Sequence, residues 1–192
     1  MRLSKRATLT AGCVVTAASA VLSTAAVGHA SGRPAPASHA AHRSAAVKVP
    51  PQLRVPDGNS RIASLRASGV QTYTCVNGAW TFLEPAATLW APHDVRHRTV
   101  ALHSRGPVWV STVDGSAVNA AAVPGAGAPR TGAVPELLLK ATATRGEGVF
   151  GSVSYIQRLR TRGGVQPTGG CTTGAQTGVP YTATYVFYAP SS

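Results

Sequence analysis

The sequence predicts an all-β domain, a single β-sandwich or barrel-like unit with at most one short helix. Three observations predict it. Runs rich in β-branched and aromatic residues recur along the chain. Asn-Gly, Gly-Pro and Asp-Gly pairs punctuate them. Only one stretch, near Ser60 to Ala67, reads as a helix, and it is short.

The elements follow in order. Val70-Gln71-Thr72-Tyr73-Thr74-Cys75-Val76 is a strand, and Asn77-Gly78 turns it into Trp80-Thr81-Phe82-Leu83. Arg98 to His103 alternates Val100 and Leu102 with polar neighbours, and Gly106-Pro107 breaks the chain. Val108 to Val113 is the next strand, closed by Asp114-Gly115. Ser116 to Val123 is a weaker strand because alanine has modest β-propensity. Pro124 to Gly132 reads as a loop. Leu137 to Thr142, between Pro135 and Gly146, reads as a buried strand. Glu147 to Thr161 reads as one long strand, and Tyr181 to Tyr188 closes the domain.

Upstream of the domain the composition changes. Arg2, Lys5 and Arg6 precede an Ala/Val-rich stretch that ends at Gly28-His29-Ala30, the pattern of a cleaved signal peptide over 1–30. The stretch is short and poor in leucine for a spanning helix, so no transmembrane segment is expected after cleavage. Cys13 lies too close to the charged start for a lipoprotein site. Residues 31–49 are rich in Ala, Pro, Ser and His without apolar period and read as a disordered linker. His39 and His42 belong to that tail. Residues 50–192 then form one β-rich domain, and the expected location is secreted, extracellular or attached to the cell envelope.

Removal of residues 1–30 leaves 15 basic against 6 acidic residues, a net charge of +9, carried by 13 arginines and two lysines. Such a surface favours an anionic cell-envelope polymer as partner. The charges are scattered and accompany no nucleic-acid motif, so no specific nucleic acid is expected. Arg158, Arg160 and Arg162 alternate on the predicted strand and would share a face, which offers an anion site or a solvated face.

Cys75 and Cys171 are the two cysteines outside the signal and form an even pair, most simply a disulfide in an exported protein. No Cys-x-x-Cys pair supports redox chemistry, and no close-spaced partners support a metal. His93, Asp94 and His97 have ligand-like spacing but sit in a loop-like segment, so no metal and no cofactor are expected.

Hydrolase elbows, Walker loops, dinucleotide fingerprints and His-Glu-x-x-His motifs are lacking. The six carboxylates show no paired spacing, and Asp114 reads as a turn residue. His103 is the candidate acid or base, with a structural histidine beneath a loop as the alternative. Gln157 and Arg158 lie on opposite faces of their strand, so one must point inward. Arg158 could pair with a carboxylate such as Glu84 or line a pocket. Gln157, Arg158 and Trp109 are the candidate ligand-binding residues. These features predict an exported domain that binds an envelope polymer, a surface partner or a small ligand, with a small secreted hydrolase or isomerase using His103 as the alternative.

Several segments together resemble a known family. They are Gly69-Val70-Gln71-x-Tyr73-x-Cys75 with Trp80-Thr81-Phe82, and Pro85-Ala86-Ala87-x-Leu89. His103-x-x-Gly106-Pro107-x-Trp109 follows, with Asp114-Gly115-Ser116. Ile156-Gln157-Arg158-Leu159-x-Thr161-x-Gly163-Gly164 then leads to Cys171, and Tyr181-x-Ala183-x-Tyr185 ends the set. From about Pro51 to Tyr188 the chain resembles the secreted family catalogued as domain of unknown function 3455. The resemblance implies an exported single domain and no assigned activity. The chain departs from the family pattern at Pro92 to Arg98, at Ser104 and at Glu136, the last two standing where an aromatic is common.

Overall fold

The computed structural model describes residues 49–192. The expected signal peptide over 1–30, Cys13, His39, His42 and all of the expected linker but Val49 lie outside the described residues. Eight antiparallel strands close into a barrel in sequential order. They are β1 (Asn59–Val76), β2 (Ala79–Trp90), β3 (Ala101–Ser104), β4 (Val108–Ser111), β5 (Ala117–Arg130), β6 (Ala133–Arg145), β7 (Tyr155–Gly163) and β8 (Gln176–Pro190). A 3-10 turn at Pro51–Leu53 precedes them. Closure pairs β1 with β8, joining the first strand to the last. Among the described residues, no helix is long and apolar enough to cross a membrane.

Three expectations are corrected. Ser60 to Ala67 is the first half of β1, not a helix. Ala63, Leu65 and Ala67 face the lumen opposite Phe187, Tyr185 and Ala183, whereas Ser64, Arg66 and Ser68 face out. That alternation has period two, and pairing with β8 overrides local propensity. The segment from Pro124 is not a loop. β5 continues to Arg130, with a shift between Ala122 and Gly127 that accommodates Pro124, and the hairpin turns at Thr131-Gly132. The long strand from Glu147 begins only at Tyr155. Residues before it form a compact loop whose Val149 and Phe150 N–H groups donate to Asp114 Oδ2 and Ser116 Oγ, each at 3.0 Å.

Two apolar layers result. Inside the barrel, Leu89, Val118, Phe150, Ile156 and Phe187 are sealed from solvent around Trp109 and Tyr185. Outside it, Leu138, Leu159 and Val186 are covered by Leu53 of the N-terminal segment. Each fully buried side chain of this size contributes roughly 1.5–3 kcal/mol.

Cys75, at the end of β1, is bonded to Cys171 in the β7–β8 connection. The bond spans a sequence separation of 96 residues, worth about 4–5 kcal/mol in the chain-entropy model. Gly163 and Gly164 have φ of 67° and 75° and bring that connection against β8. A Cβ on Gly164 would lie 2.8 Å from Gln71 Cγ and 2.9 Å from Tyr181 Cβ. The Gly164 carbonyl accepts the Tyr73 hydroxyl at 2.6 Å.

Candidate functional site

One end of the lumen is filled by Phe150 and its neighbours; the other holds a cavity of about 370 Å³. Every strand supplies one wall: Gln71 from β1, Pro85 from β2, His103 from β3, Trp109 from β4. Ala122, Leu137, Arg158 and Tyr185 complete the circuit from β5 to β8. Phe82 and Leu83, with the Arg105-Gly106-Pro107 hairpin, form part of the rim. The volume falls in the range of small-molecule sites, and a barrel mouth is a common place for one.

The deep wall is aromatic. His103 stacks on Trp109 with ring centroids 4.1 Å apart and an interplanar angle of 6°. Tyr185 meets both rings edge-on, at 5.2 and 5.3 Å. His103 Nδ1 lies 3.0 Å from the Val108 carbonyl, so the neutral ring donates there and keeps Nε2 as an acceptor. Burial disfavours the charged imidazole and lowers its pKa to about 4, and the Arg158 charge adds to that. Burial likewise pushes the Tyr185 hydroxyl up, against the pull of Arg158.

Arg158 brings the only cationic group of β7 that faces this lumen. A bulge separates it from its neighbours: Leu159 pairs with Thr184, and Arg162 pairs with Thr182. Three steps on β7 against two on β8 reverse the alternation. Arg160, with φ of 52°, absorbs the extra residue. Arg158 therefore points inward while Arg160 and Arg162 line an outer groove, and the shared face expected for all three does not form. Arg158 Nε and Nη2 donate to the Pro135 carbonyl at 3.1 and 2.8 Å. Glu84 is not its partner; that carboxylate accepts from Arg105 Nε at 3.1 Å. Among the described residues, no carboxylate pairs with Arg158.

Two buried donors in this wall are unpaired. Trp109 Nε1 and Gln71 Nε2 have no hydrogen-bond partner, although Tyr181 neighbours the Gln71 amide. Their residues are 1% and 2% exposed, so water does not compensate them freely. Native interiors rarely leave such groups without a reason.

The structure thus brings His103, Trp109 and Arg158 together and separates Gln157 from them. Gln157 Nε2 donates to the Leu53 carbonyl at 2.6 Å, and its Oε1 accepts the Tyr188 hydroxyl at 2.8 Å. It ties the N-terminal segment to the outer face. Gln71 and Tyr185, which the sequence marks only as members of the family motifs, join the site. A glutamine at inward parity within a β-branched strand is the signal that could have marked Gln71. His93 and Asp94 lie in the β2–β3 loop, where Asp94 accepts from Arg98 Nε at 2.9 Å and its pKa is lowered by that bond first. His97 stacks on Trp90 at 4.6 Å. Among the described residues, no group of three or more His, Cys, Asp or Glu could hold a metal. Asp114 is a turn residue: it accepts from the Ser116 hydroxyl at 2.6 Å, and such bonds hold its carboxyl well below the usual range.

Chemically, the cavity can surround an apolar body, accept a proton donor at His103 Nε2, and present N–H donors to an oxygen anion. Comparison with known proteins finds a match between residues 56–189 and the family model described as "Protein of unknown function (DUF3455)". No curated protein and no solved structure matches the chain. The family match covers most of the 192 residues and agrees with the resemblance carried by the sequence motifs. The chain belongs to the DUF3455 family.

Proposed function

We propose that this domain is exported and binds, without catalysis, a small carboxylate with an apolar or aromatic body in the barrel mouth. The observation that carries this reading is a pair of buried donors lacking acceptors, Trp109 Nε1 and Gln71 Nε2, in the same wall as Arg158, a cation with no carboxylate partner among the described residues. A carboxylate supplies the acceptor oxygens and the negative charge together. The flat His103–Trp109 stack and Leu137 suit the apolar remainder. Export is supported by the signal-like start and by a disulfide compatible with an oxidising compartment.

Catalysis by His103 is the competing reading. Among the described residues, no serine, cysteine, aspartate or glutamate lines the cavity. His103 lacks both an acidic partner and an obvious nucleophile there, which favours binding.

Calorimetric titration with benzoate, phenylacetate and octanoate, each beside its neutral amide, tests the proposal. The expected result is saturable binding of at least one acid, with its amide weaker. Arg158→Gln should weaken that acid about 10- to 100-fold, as loss of a charge-assisted hydrogen bond does. Equal binding of acid and amide, or no binding by any acid, would contradict it. The acid–amide comparison in the unsubstituted protein is independent of how the variant folds.

A further inference from the structure

A second site lies on the outside of the barrel, unconnected with the lumen. Its residues form a stripe across four adjacent strands. Arg162 on β7 stands opposite Thr182 on β8. Thr184 on β8 stands opposite Arg66 on β1, and Arg66 stands opposite Trp90 on β2. Arg160 joins Arg162 at the β7 end. Together they line a groove of about 390 Å³. Neighbouring strands lie about 4.8 Å apart, so the stripe runs roughly 14 Å across the sheet.

Charge and hydrogen bonding set this groove apart from an ordinary solvated face. Among the described residues, no carboxylate pairs with Arg66, Arg160 or Arg162. Glu136 accepts from the Arg160 backbone N–H at 2.7 Å, and its ion pair is with Arg130 at 3.7 Å. Trp90, 9% exposed, closes the β2 end with its Nε1 buried and unpartnered. The β7 bulge, held at Arg160 by a left-handed φ of 52°, is what turns Arg162 outward. A strained position that assembles an uncompensated cationic row is the mark of a binding feature more than of a surface at rest.

We infer that this groove binds an acidic polysaccharide. Repeating carboxylate or sulfate groups would meet the arginine forks, and sugar oxygens would meet the Thr182 and Thr184 hydroxyls, with Trp90 packed beneath them as a reporter. Single-stranded nucleic acid is the competing polyanion. It calls for open aromatic faces on which bases stack, and the Trp90 face is taken by His97 at 4.6 Å.

The test uses the domain with ¹⁵N-labelled tryptophan and two probes of different anionic group, polygalacturonate and dextran sulfate. Neutral dextran and oligo(dT) complete the set. The inference predicts that the Trp90 indole resonance moves with one or both acidic glycans at low salt, and that binding weakens as salt rises. Arg66→Gln with Arg162→Gln should reduce affinity at least tenfold. A charge-matched double variant, Arg54→Gln with Lys140→Gln, should keep it. Absence of binding at low salt, equal loss in both double variants, or oligo(dT) binding as tightly as the glycans would overturn it. The Trp90 shift is read on the unsubstituted protein, so a folding defect in a variant cannot mask the answer.

Discussion

His103 shows how one environment sets one residue's chemistry. Its ring is 4% exposed, stacked on Trp109, and faces the Arg158 charge across the cavity. Burial and that charge both favour the neutral ring and hold the pKa near about 4. In the unfolded chain the ring protonates at an ordinary value near 6.5. As pH falls through that window the unfolded state gains a proton that the folded state does not, so the native state loses stability. The contribution is complete above pH 6.5, lost down to about pH 4, and level below it. Its size is about 3 kcal/mol. Urea unfolding of the native protein and His103→Gln at pH 7 and pH 4 isolates it from the carboxylates, which both proteins share. The native protein should lose about 3 kcal/mol more than the variant over that interval; equal losses would show that the ring titrates normally.

At the same scale, some site residues are marked by sequence and others only by distant contacts. His103, Trp109 and Arg158 were legible because each is a chemically loaded residue in a strand of simple composition. Parity alone could say that Gln157 and Arg158 diverge, but not which one faces the lumen. The deciding contact is Leu53, 104 residues away in sequence, whose carbonyl takes the Gln157 amide. Gln71 is legible as a motif residue but not as a lining one, for a related reason. Its burial depends on Gly164 and Tyr181, which approach it from the far end of the chain.

At the scale of elements, glycines and bulges decide the geometry. Asn77-Gly78 turns β1 into β2 with φ of 52° and 78°, as its sequence predicts. The β7 bulge has no such signature: Leu159-Arg160-Thr161-Arg162 alternates cleanly, and the shift shows only in the pairing with β6 and β8. The Ser60 to Ala67 segment is similar, since its strand identity comes from pairing with β8. Gly163-Gly164, by contrast, was readable as a turn. Its second glycine also fills a space that admits no Cβ. Gly164→Ala combines a left-handed φ of 75° with contacts at 2.8 and 2.9 Å, and should cost about 2–3 kcal/mol. Gly170→Ala, which meets nothing within 4 Å, should change stability by less than about 0.5 kcal/mol. Denaturant midpoints with unchanged slopes would report both; equal midpoints would remove the packing role given to Gly164.

At the scale of the molecule, the barrel keeps the two proposed sites apart. Its outer wall carries the N-terminal segment over Leu138, Leu159 and Val186 on one side and the arginine groove on another. Its lumen is packed at one end and hollow at the other. The sequence announced β architecture through its strand runs and turn pairs. Closure into a ring, and hence the existence of a mouth, depends on the β1–β8 pairing of distant segments. The Cys75–Cys171 bond reinforces that pairing by fixing the β7–β8 connection to the end of β1. A half-filled lumen walled by closed strands would hold the proposed carboxylate with little loss of backbone freedom.

The indole N–H of Trp109 reports on that site directly. The chain has three tryptophans, at 80, 90 and 109, so the labelled domain gives three indole resonances. Titration with the carboxylate that binds best should shift the Trp109 resonance and leave Trp90, outside the barrel, in place. A carboxylate that binds without moving Trp109, or a Trp109 resonance unmoved by every acid tried, would contradict a carboxylate site in the barrel mouth.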